Sequence, residues 1–435
     1  MENHEFKQYA LSPVMNQVID KLGFKAPTPI QQKVIPLALR GESIIGQSHT
    51  GSGKTHAYLI PILNKIKEEQ QSVQYVVTAP TRELAMQIYD EAKKMVEFTG
   101  EAPWSIKLLI GGTDKKKSID KLKEQPHLVI GTPGRILDLL EEGALDFSSI
   151  QSFIVDEADL MLDLGLIQEI DKTLVRSNSR ASVMVFSATI PERLQPFLKK
   201  YLENPHYFKM DDRLSPETME HRLVPLRHRS IADTIIRISE TIRPYLAIIF
   251  TNGKERADLL SEELIGKGFE VGLMHGGLTP RERKRVLKDI QALRYQYIVA
   301  TDLAARGIDI KGVSHVINAD LPSEEEFYIH RVGRTARAGM EGTAISLFKD
   351  EDLTLIERLE KKGLTFTSYD IKDGEWVETK AWNERKKRQK AESEVEKEAW
   401  SHVRKPKKVK PGYKKKMKKH QEKVKRKINR NKFKK

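Results

Sequence analysis

Residues 48–55 read Ser-His-Thr-Gly-Ser-Gly-Lys-Thr, and residues 155–159 read Val-Asp-Glu-Ala-Asp. The first segment is a glycine-rich loop ending in Lys-Thr. Gly51 and Gly53 give room for backbone N–H groups of Ser48, His49, Thr50 and Ser52 to close around phosphate oxygens, at the positive end of a following helix. Lys54 is placed to reach the β and γ phosphates, and Thr55 to offer a hydroxyl to Mg²⁺. The second segment is an apolar run that ends in carboxylates. Asp156 suits Mg²⁺, mostly through water, and Glu157 suits the orientation or deprotonation of an attacking water. Each segment alone has a bland reading, a helix-capping turn or solvated acids at a strand end. Together they supply the parts of a nucleoside triphosphatase. Ser48 stands where the strict loop pattern has Gly, an exchange of one small residue for another.

A third segment brings cations. Residues 330–337 read His-Arg-Val-Gly-Arg-Thr-Ala-Arg, with arginines at 331, 334 and 337. If this stretch is helical, a three-residue step puts Arg334 and Arg337 on one face. Guanidinium groups fork onto phosphate oxygens, so the pair could act as arginine fingers supplied by a second domain. On its own, such a run is as readily a helix surface laced with salt bridges.

Elements must hold these segments in place. A chain of 435 residues favours two domains. Apolar runs at 43–46, 75–78, 108–110, 128–130, 153–155 and 183–186 alternate with amphipathic stretches such as 83–98 and 136–142. Short continuous apolar runs between helices predict an α/β fold with a parallel sheet covered on both faces. The pattern lapses into polar residues and a Pro at 210–217, then restarts with runs at 247–250, 271–274, 297–300, 316–318 and 344–348. The expected division is a first domain over 1–207, a linker over 208–218, a second domain over 219–371 and a tail over 372–435.

Charge separates the tail from the body. Of 75 Lys and Arg and 61 Asp and Glu, residues 380–435 hold 25 and 6, leaving 50 and 55 before them. The mildly acidic body and strongly basic tail predict a polyanionic partner and a tail without a packed core. With no Cys, disulfides and thiolate metal sites are excluded. The polar, acidic N-terminus and the lack of a long apolar run predict a cytoplasmic protein with no membrane partner.

Taken together, these motifs resemble the DEAD-box ATP-dependent RNA helicases, whose name is spelled by Asp156-Glu157-Ala158-Asp159. The likeness runs in family order from Phe6 to about Phe348. It takes in Gly23-Phe24, Pro27-Thr28-Pro29-Ile30-Gln31, Pro80-Thr81-Arg82-Glu83-Leu84-Ala85 and Gly111-Gly112. It continues through Thr132-Pro133-Gly134-Arg135, Ser187-Ala188-Thr189, residues 248–252, residues 300–310 and residues 330–337. Within the family, the stretch from Gly111 to Ser118 and the tail around Lys405 to Tyr413 are similar to the bacterial cold-shock type. Three positions depart from the usual pattern: Pro280 where Gln is frequent, Leu166 where Phe is frequent, and Ala336 where Gly is frequent.

The resemblance implies two tandem RecA-like domains, each a parallel sheet with helices on both faces, that bind ATP and Mg²⁺ between them. Gln31 would read the adenine edge with Phe24 or Phe6 packed nearby, Gly307 and Asp309 would lie by the ribose, and Arg334 and Arg337 would approach the γ-phosphate. Asp159, Ser187, Thr189 and His330 would couple nucleotide state to RNA grip. Thr81, Arg82, Gly112, Thr132, Gly134, Arg135, Arg283 and Thr301 would hold RNA. These are small donors, glycines and arginines, suited to phosphates and 2′-hydroxyls rather than base edges, so sequence-independent binding is expected. The tail would tether RNA by charge, with Tyr413 and Phe433 available to stack on bases. Ribosomal particles or RNA decay machinery are partners the resemblance admits. A translocating DNA helicase and an ATP-switched RNA clamp are the competing readings.

Overall fold

The computed structural model describes residues 5–49, 51–100, 104–112, 114–210, 218–302, 310, 312–336, 341–383, 399–400, 417–424 and 426. The chain divides into two compact units, Met1–Phe366 and Thr367–Lys435.

The larger unit holds two parallel sheets. In the first lobe the strands are β1 (Ile44–Gln47), β2 (Tyr75–Thr78), β3 (Ile106–Leu109), β4 (Leu128–Gly131), β5 (Ser152–Val155), β6 (Ser182–Ser187) and β7 (His206–Lys209), in the order β3-β4-β2-β5-β6-β1-β7. In the second lobe β8 (Met219–Pro225), β9 (Ala247–Thr251), β10 (Val271–Met274), β11 (Tyr297–Thr301), β12 (His315–Asn318) and β13 (Gly342–Phe348) run β10-β11-β9-β12-β13-β8. Numbered within its own lobe, the second sheet repeats the 3-4-2-5-6-1 order of the first. The doubling expected from the restarting pattern is therefore a doubling of topology, without residue-level repetition.

Period-two alternation explains why the strands read as unbroken apolar runs. Tyr75, Val77, Leu128, Ile130, Ile154, Met184 and Phe186 enter one core. Their neighbours Val76, Val129, Phe153, Val155, Val183 and Val185 enter the core on the opposite face. Each buried Val, Ile or Phe stabilises the lobe by about 1.5–3 kcal/mol, so a strand apolar on both faces is held from both sides. The sequence reading misses β7 and β8, because His-Tyr-Phe-Lys and Met-Glu-His-Arg-Leu-Val-Pro mix polar residues into the run. β7 is a sheet edge, and β8 alternates between buried and partly exposed positions.

The strand order sorts the expected site residues. Ser48–Gly53 follow β1, Asp156 and Glu157 follow β5, and Ala188 and Thr189 follow β6, all neighbouring strands. Thr81 and Arg82 follow β2, Gly112 follows β3 and Thr132 follows β4, and these strands form the other half of the sheet. The residues expected at phosphate and those expected at RNA thus lie on one carboxyl edge but on opposite halves of it, divided between β2 and β5. The second lobe repeats the division. Arg283 on the helix Pro280–Gln291 follows β10 and Thr301 ends β11, whereas the helix Glu325–Val332 follows β12.

In the smaller unit, β14 (Thr367–Lys372) and β15 (Glu375–Glu378) form an antiparallel hairpin turned by Asp373 and Gly374, with φ of 51° and 79°. Asp-Gly is the favoured pair for a two-residue turn needing positive φ at both positions. Tyr369 and Trp376 meet edge to face across it, 5.6 Å between ring centres. Part of the stretch read as tail from residue 372 is therefore ordered. Residues 384–398 and 401–416, with most of those beyond 424, lie outside the described residues, as does the expected linker from 211 to 217. Among the described residues no helix is long and apolar enough to cross a membrane.

Candidate active site

The glycine-rich loop ends at Gly53, which has φ 94° and caps the helix Lys54–Asn64. A Cβ there would lie 2.7 Å from Gln31 Nε2 and 2.8 Å from Thr28 Oγ1, so both the backbone angle and the space require glycine. Gln31 is buried and binds at both ends. Its amide nitrogen donates to the Gly53 carbonyl at 3.1 Å, and its Oε1 accepts the Thr28 N–H at 3.0 Å. The latter contact belongs to a capping box that starts the helix Pro29–Arg40. Gln31 is thereby fixed against the phosphate loop. Phe24 is half-buried, stacked 6.3 Å from Phe6 and edge-on to His56 at 4.9 Å. Phe6 is fully buried in the core, so Phe24 is the outer ring of the pair.

Within the loop, the Lys54 ammonium donates to the Ser48 carbonyl at 2.8 Å. The Ser48 and Ser52 hydroxyls are 2.9 Å apart, and Ser52 donates to the His49 carbonyl at 2.8 Å. The departure from Gly at 48 thus adds a hydroxyl that closes the loop on itself. Ser48 N–H donates to the Ser187 carbonyl at 3.0 Å, tying the loop to the end of β6. Thr50 lies outside the described residues.

Asp156 and Glu157 sit buried at the carboxyl end of β5. Asp156 Oδ1 accepts the Glu157 N–H at 2.9 Å, and Oδ2 accepts the Tyr58 hydroxyl at 2.8 Å. Burial pushes the Asp156 carboxyl up to about 6, against the pull of the Lys54 ammonium. Glu157 takes a left-handed conformation, φ 50° and ψ 54°, which costs a non-glycine residue about 1–3 kcal/mol. That bend turns the chain directly from strand into the helix Ala158–Asp163.

Asp159 gathers the other three residues expected to couple nucleotide and RNA. Its N–H donates to Ser187 Oγ at 3.1 Å, and its Oδ2 accepts the Thr189 amide at 2.9 Å and the Thr189 hydroxyl at 3.0 Å. His330, from the second lobe, places Nε2 3.2 Å from the same oxygen. Burial raises the Asp159 carboxyl, but His330 and the Thr189 amide outweigh it and hold the group well below the usual range.

Arg334 is buried, with Nε donating to the His330 carbonyl at 3.3 Å. The helix carrying His330 stops at Val332, so Arg334 lies in the turn after it rather than on a helical face shared with Arg337. Arg331 turns inward to Asp302 and is not a phosphate-facing cation. Arg337, Gly307 and Asp309 lie outside the described residues.

The expected RNA residues line the other half of the carboxyl edge. Thr81 and Thr132 precede the helices Arg82–Thr99 and Pro133–Glu141 as caps, and the Thr81 hydroxyl accepts the Leu84 N–H at 3.2 Å. Arg82 is exposed and lies along the Gly111-Gly112 backbone. A Cβ on Gly112, where φ is 81°, would meet its guanidinium at 2.6 Å. Gly134 stands open, with nothing within 4 Å of a would-be Cβ, and Arg135 is 3.6 Å from Asp138. Thr301 is buried at the end of β11. Arg283 places Nε 2.6 Å from a Glu83 oxygen, a second link between the lobes. Pro280 opens the helix of Arg283 behind a Thr279–Glu282 capping box, an accepted place for proline.

The site has the donor set for Mg²⁺. Among the described residues no cluster of three or more His, Cys, Asp or Glu could cage a metal ion. Thr55 and Asp156 offer hard oxygens beside a loop shaped for phosphates. Sparse oxygen ligation completed by water and phosphate suits Mg²⁺. The sequence reading singles out neither Tyr58 nor the partners of Arg331. Tyr58 lies three residues from Thr55 and four from Lys54, a spacing that marks one helix face.

Comparison with known proteins follows the same lines. Residues 28–197 match the DEAD/DEAH box helicase family and residues 228–339 the helicase conserved C-terminal domain. The chain is 52% identical over 436 residues to the Bacillus subtilis DEAD-box ATP-dependent RNA helicase CshB, covering 100% of both. It is 48% identical to the Bacillus cereus protein of the same name, covering 99% of this chain and 100% of that one. Among solved structures it resembles Saccharomyces cerevisiae Dbp5 bound to RNA and ADP BeF3, with TM-score 0.76 and 29% identity over 89% of this chain and 98% of that one. Mss116p bound to ssRNA and AMP-PNP gives TM-score 0.74 and 25% identity over 93% and 87%.

Proposed function

The chain belongs to the DEAD-box ATP-dependent RNA helicases, and from that premise we propose that it hydrolyses ATP in response to RNA and locally melts short duplexes by closing its two lobes around both ligands. The contact that carries this reading is His330 on Asp159. It binds the lobe bearing Arg334 to the acid that also holds Thr189, which follows β6 beside the phosphate loop.

In this reading the loop amides and Lys54 hold the phosphates. Gln31 accepts only the edge of adenine that pairs with it, since any other base leaves buried polar groups unpaired. Mg²⁺, held by Thr55 and Asp156, would neutralise developing phosphate charge. Glu157 orients the attacking water, and closure brings Arg334 and Arg337 to the γ-phosphate, so the site is assembled only when both lobes engage. RNA lies along Thr81, Arg82, Gly112, Thr132, Gly134 and Arg135 in one lobe and Arg283 and Thr301 in the other. Arg283 exchanges Glu83 for a phosphate as RNA arrives. The basic residues after Lys380 tether RNA and lose their grip steeply with salt. Low temperature stabilises RNA duplexes, which fits the expected role in the cold and work on structured RNA such as ribosomal particles or decay substrates.

The test is ATP turnover by the full chain with and without RNA, beside Glu157→Gln. The expected result is strong stimulation by RNA, little by DNA, and a variant that binds RNA in the presence of ATP without turning over. Turnover indifferent to RNA would sink the reading, and a Glu157→Gln variant that still remodels RNA would favour a clamp.

A further inference from the structure

The helix after the phosphate loop carries a polar group that the proposed reaction has not used. The Tyr58 hydroxyl is fully buried and donates to Asp156 Oδ2 at 2.8 Å. Thr55 lies three residues earlier on the same helix, within one turn of Tyr58. It therefore holds one of the two residues proposed to bind Mg²⁺ and shares a helix face with the other.

The ring is locked where it stands. It packs against Phe186 of β6, ring centres 5.2 Å apart at 44°. Phe186 in turn lies on Gly46 of β1, where a Cβ would come within 2.8 Å of the ring. The missing side chain at 46 thus lets Phe186 settle on the strand, and Phe186 sets the height of Tyr58. The Glu157 N–H holds the other oxygen, Oδ1, at 2.9 Å. With one donor on each oxygen, the Asp156 carboxylate has one orientation, and its remaining lone pairs point away from both donors.

We propose that Tyr58 is a positioning residue for the divalent metal, fixing Asp156 so that the chain's affinity for Mg²⁺ depends on this one hydroxyl. The proposal rests on the ATPase reading above. A tyrosine here acts from behind the ligands. Groups that orient metal ligands in this way change metal affinity by about 10–100-fold when removed. Phenylalanine keeps the ring, its packing on Phe186 and the buried volume, and removes only the oxygen.

The experiment is equilibrium binding of Mn²⁺, as a spectroscopic stand-in for Mg²⁺, to full-length wild type and Tyr58→Phe with saturating non-hydrolysable ATP analogue, read by electron paramagnetic resonance without turnover. Binding of the analogue in excess chelator is measured in parallel. The expected result is metal affinity about tenfold weaker in Tyr58→Phe, with metal-free nucleotide binding unchanged. In an Asp156→Asn background, Tyr58→Phe should weaken the metal by much less, because the carboxylate it orients is gone. Equal metal affinities for wild type and Tyr58→Phe would overturn the proposal and leave the ATPase reading standing. An equal loss in metal-free nucleotide binding would overturn it too, marking Tyr58 as a support of the loop. A wild-type chain with no metal-dependent nucleotide binding would overturn the ATPase reading itself, and this proposal with it.

Discussion

Arg331 forks onto Asp302, with Nε 2.5 Å from Oδ1 and Nη2 2.8 Å from Oδ2. Its guanidinium also reaches Asn252 Oδ1 at 2.7 Å and the Asp320 carbonyl at 2.5 Å, and it lies over the Phe250 ring at 5.2 Å. One fully buried side chain on the helix after β12 thus joins the ends of β9, β11 and β12. That span runs across the sheet from β12 to β11, where Thr301, a residue proposed to hold RNA, precedes Asp302. Lys cannot reproduce a planar fork, so Arg331→Lys leaves buried acceptors unpaired. Lys keeps the charge, so the cost is that of the unpaired buried acceptors, about 1–3 kcal/mol, which urea unfolding of the full chain would register as an earlier transition of the second lobe. RNA stimulation of turnover should fall further than RNA-free turnover. A transition and a stimulation both equal to wild type would show that the hub carries neither load.

Ala336 takes φ 53°, in the left-handed region, at a position where the helicase resemblance leads one to look for glycine. A Cβ in that region costs about 1–2 kcal/mol, partly offset in Gly by the entropy of a freer unfolded chain. Ala336→Gly should therefore stabilise the second lobe by up to about 1 kcal/mol, seen as a later denaturation midpoint. A midpoint moved the other way would mean that the buried methyl group contributes more packing than its backbone angle costs.

His221, on β8, is buried with Nδ1 2.9 Å from the Tyr328 hydroxyl and its ring edge-on to Phe366. Burial pushes its imidazole down to about 4 from 6.5, with Glu220 opposing weakly. The folded state keeps the ring neutral while the unfolded chain takes up a proton near pH 6.5. Its contribution is therefore whole above pH 6.5 and is lost as the pH falls towards 4. At 1.36 kcal/mol per pKa unit the full loss is about 3 kcal/mol. Unfolding free energy measured from pH 7.5 to 4.5 should fall less steeply for His221→Gln than for wild type. Parallel curves would mean that this ring is not what titrates.

Most of the architecture was legible because both sheets are buried on both faces, so strands such as Tyr75–Thr78 and Phe153–Val155 appear as unbroken apolar runs. The phosphate loop was legible because Gly51, Gly53, Lys54 and Thr55 are adjacent in sequence and act through backbone geometry. What escaped depended on contacts between distant segments. Tyr58 reads as an ordinary core residue until β5 brings Asp156 to it across 98 positions. Arg331 and Arg334 are three residues apart and look alike. Only the end of the helix at Val332 and the approach of Asp302 separate them, turning Arg331 onto Asp302 and leaving Arg334 in the turn against the His330 carbonyl. The edge strand β7 escaped for another reason, since an exposed edge has no need of an apolar run.

Gly134 separates what the fold needs from what the proposed RNA path would need. It is the second residue of the helix Pro133–Glu141, its φ is outside the positive region, and an added Cβ would meet nothing within 4 Å. Nothing in the chain itself calls for glycine there, and alanine is the better helix former by about 1 kcal/mol in a helix interior. The proposed RNA path would call for it, through close approach of a phosphate to a helix N-terminus whose free N–H groups favour anions. Gly134→Ala should leave the denaturation midpoint unchanged or slightly raised, while RNA affinity in the presence of the ATP analogue weakens about tenfold, or about 1.4 kcal/mol. Gly134→Val should weaken it further, because the clash grows with the side chain. The readout is fluorescence anisotropy of a labelled single-stranded RNA at fixed salt. RNA affinity unchanged in both variants would remove this helix from the RNA path, and with it the assignment of the β3-β4-β2 half of the sheet edge to RNA.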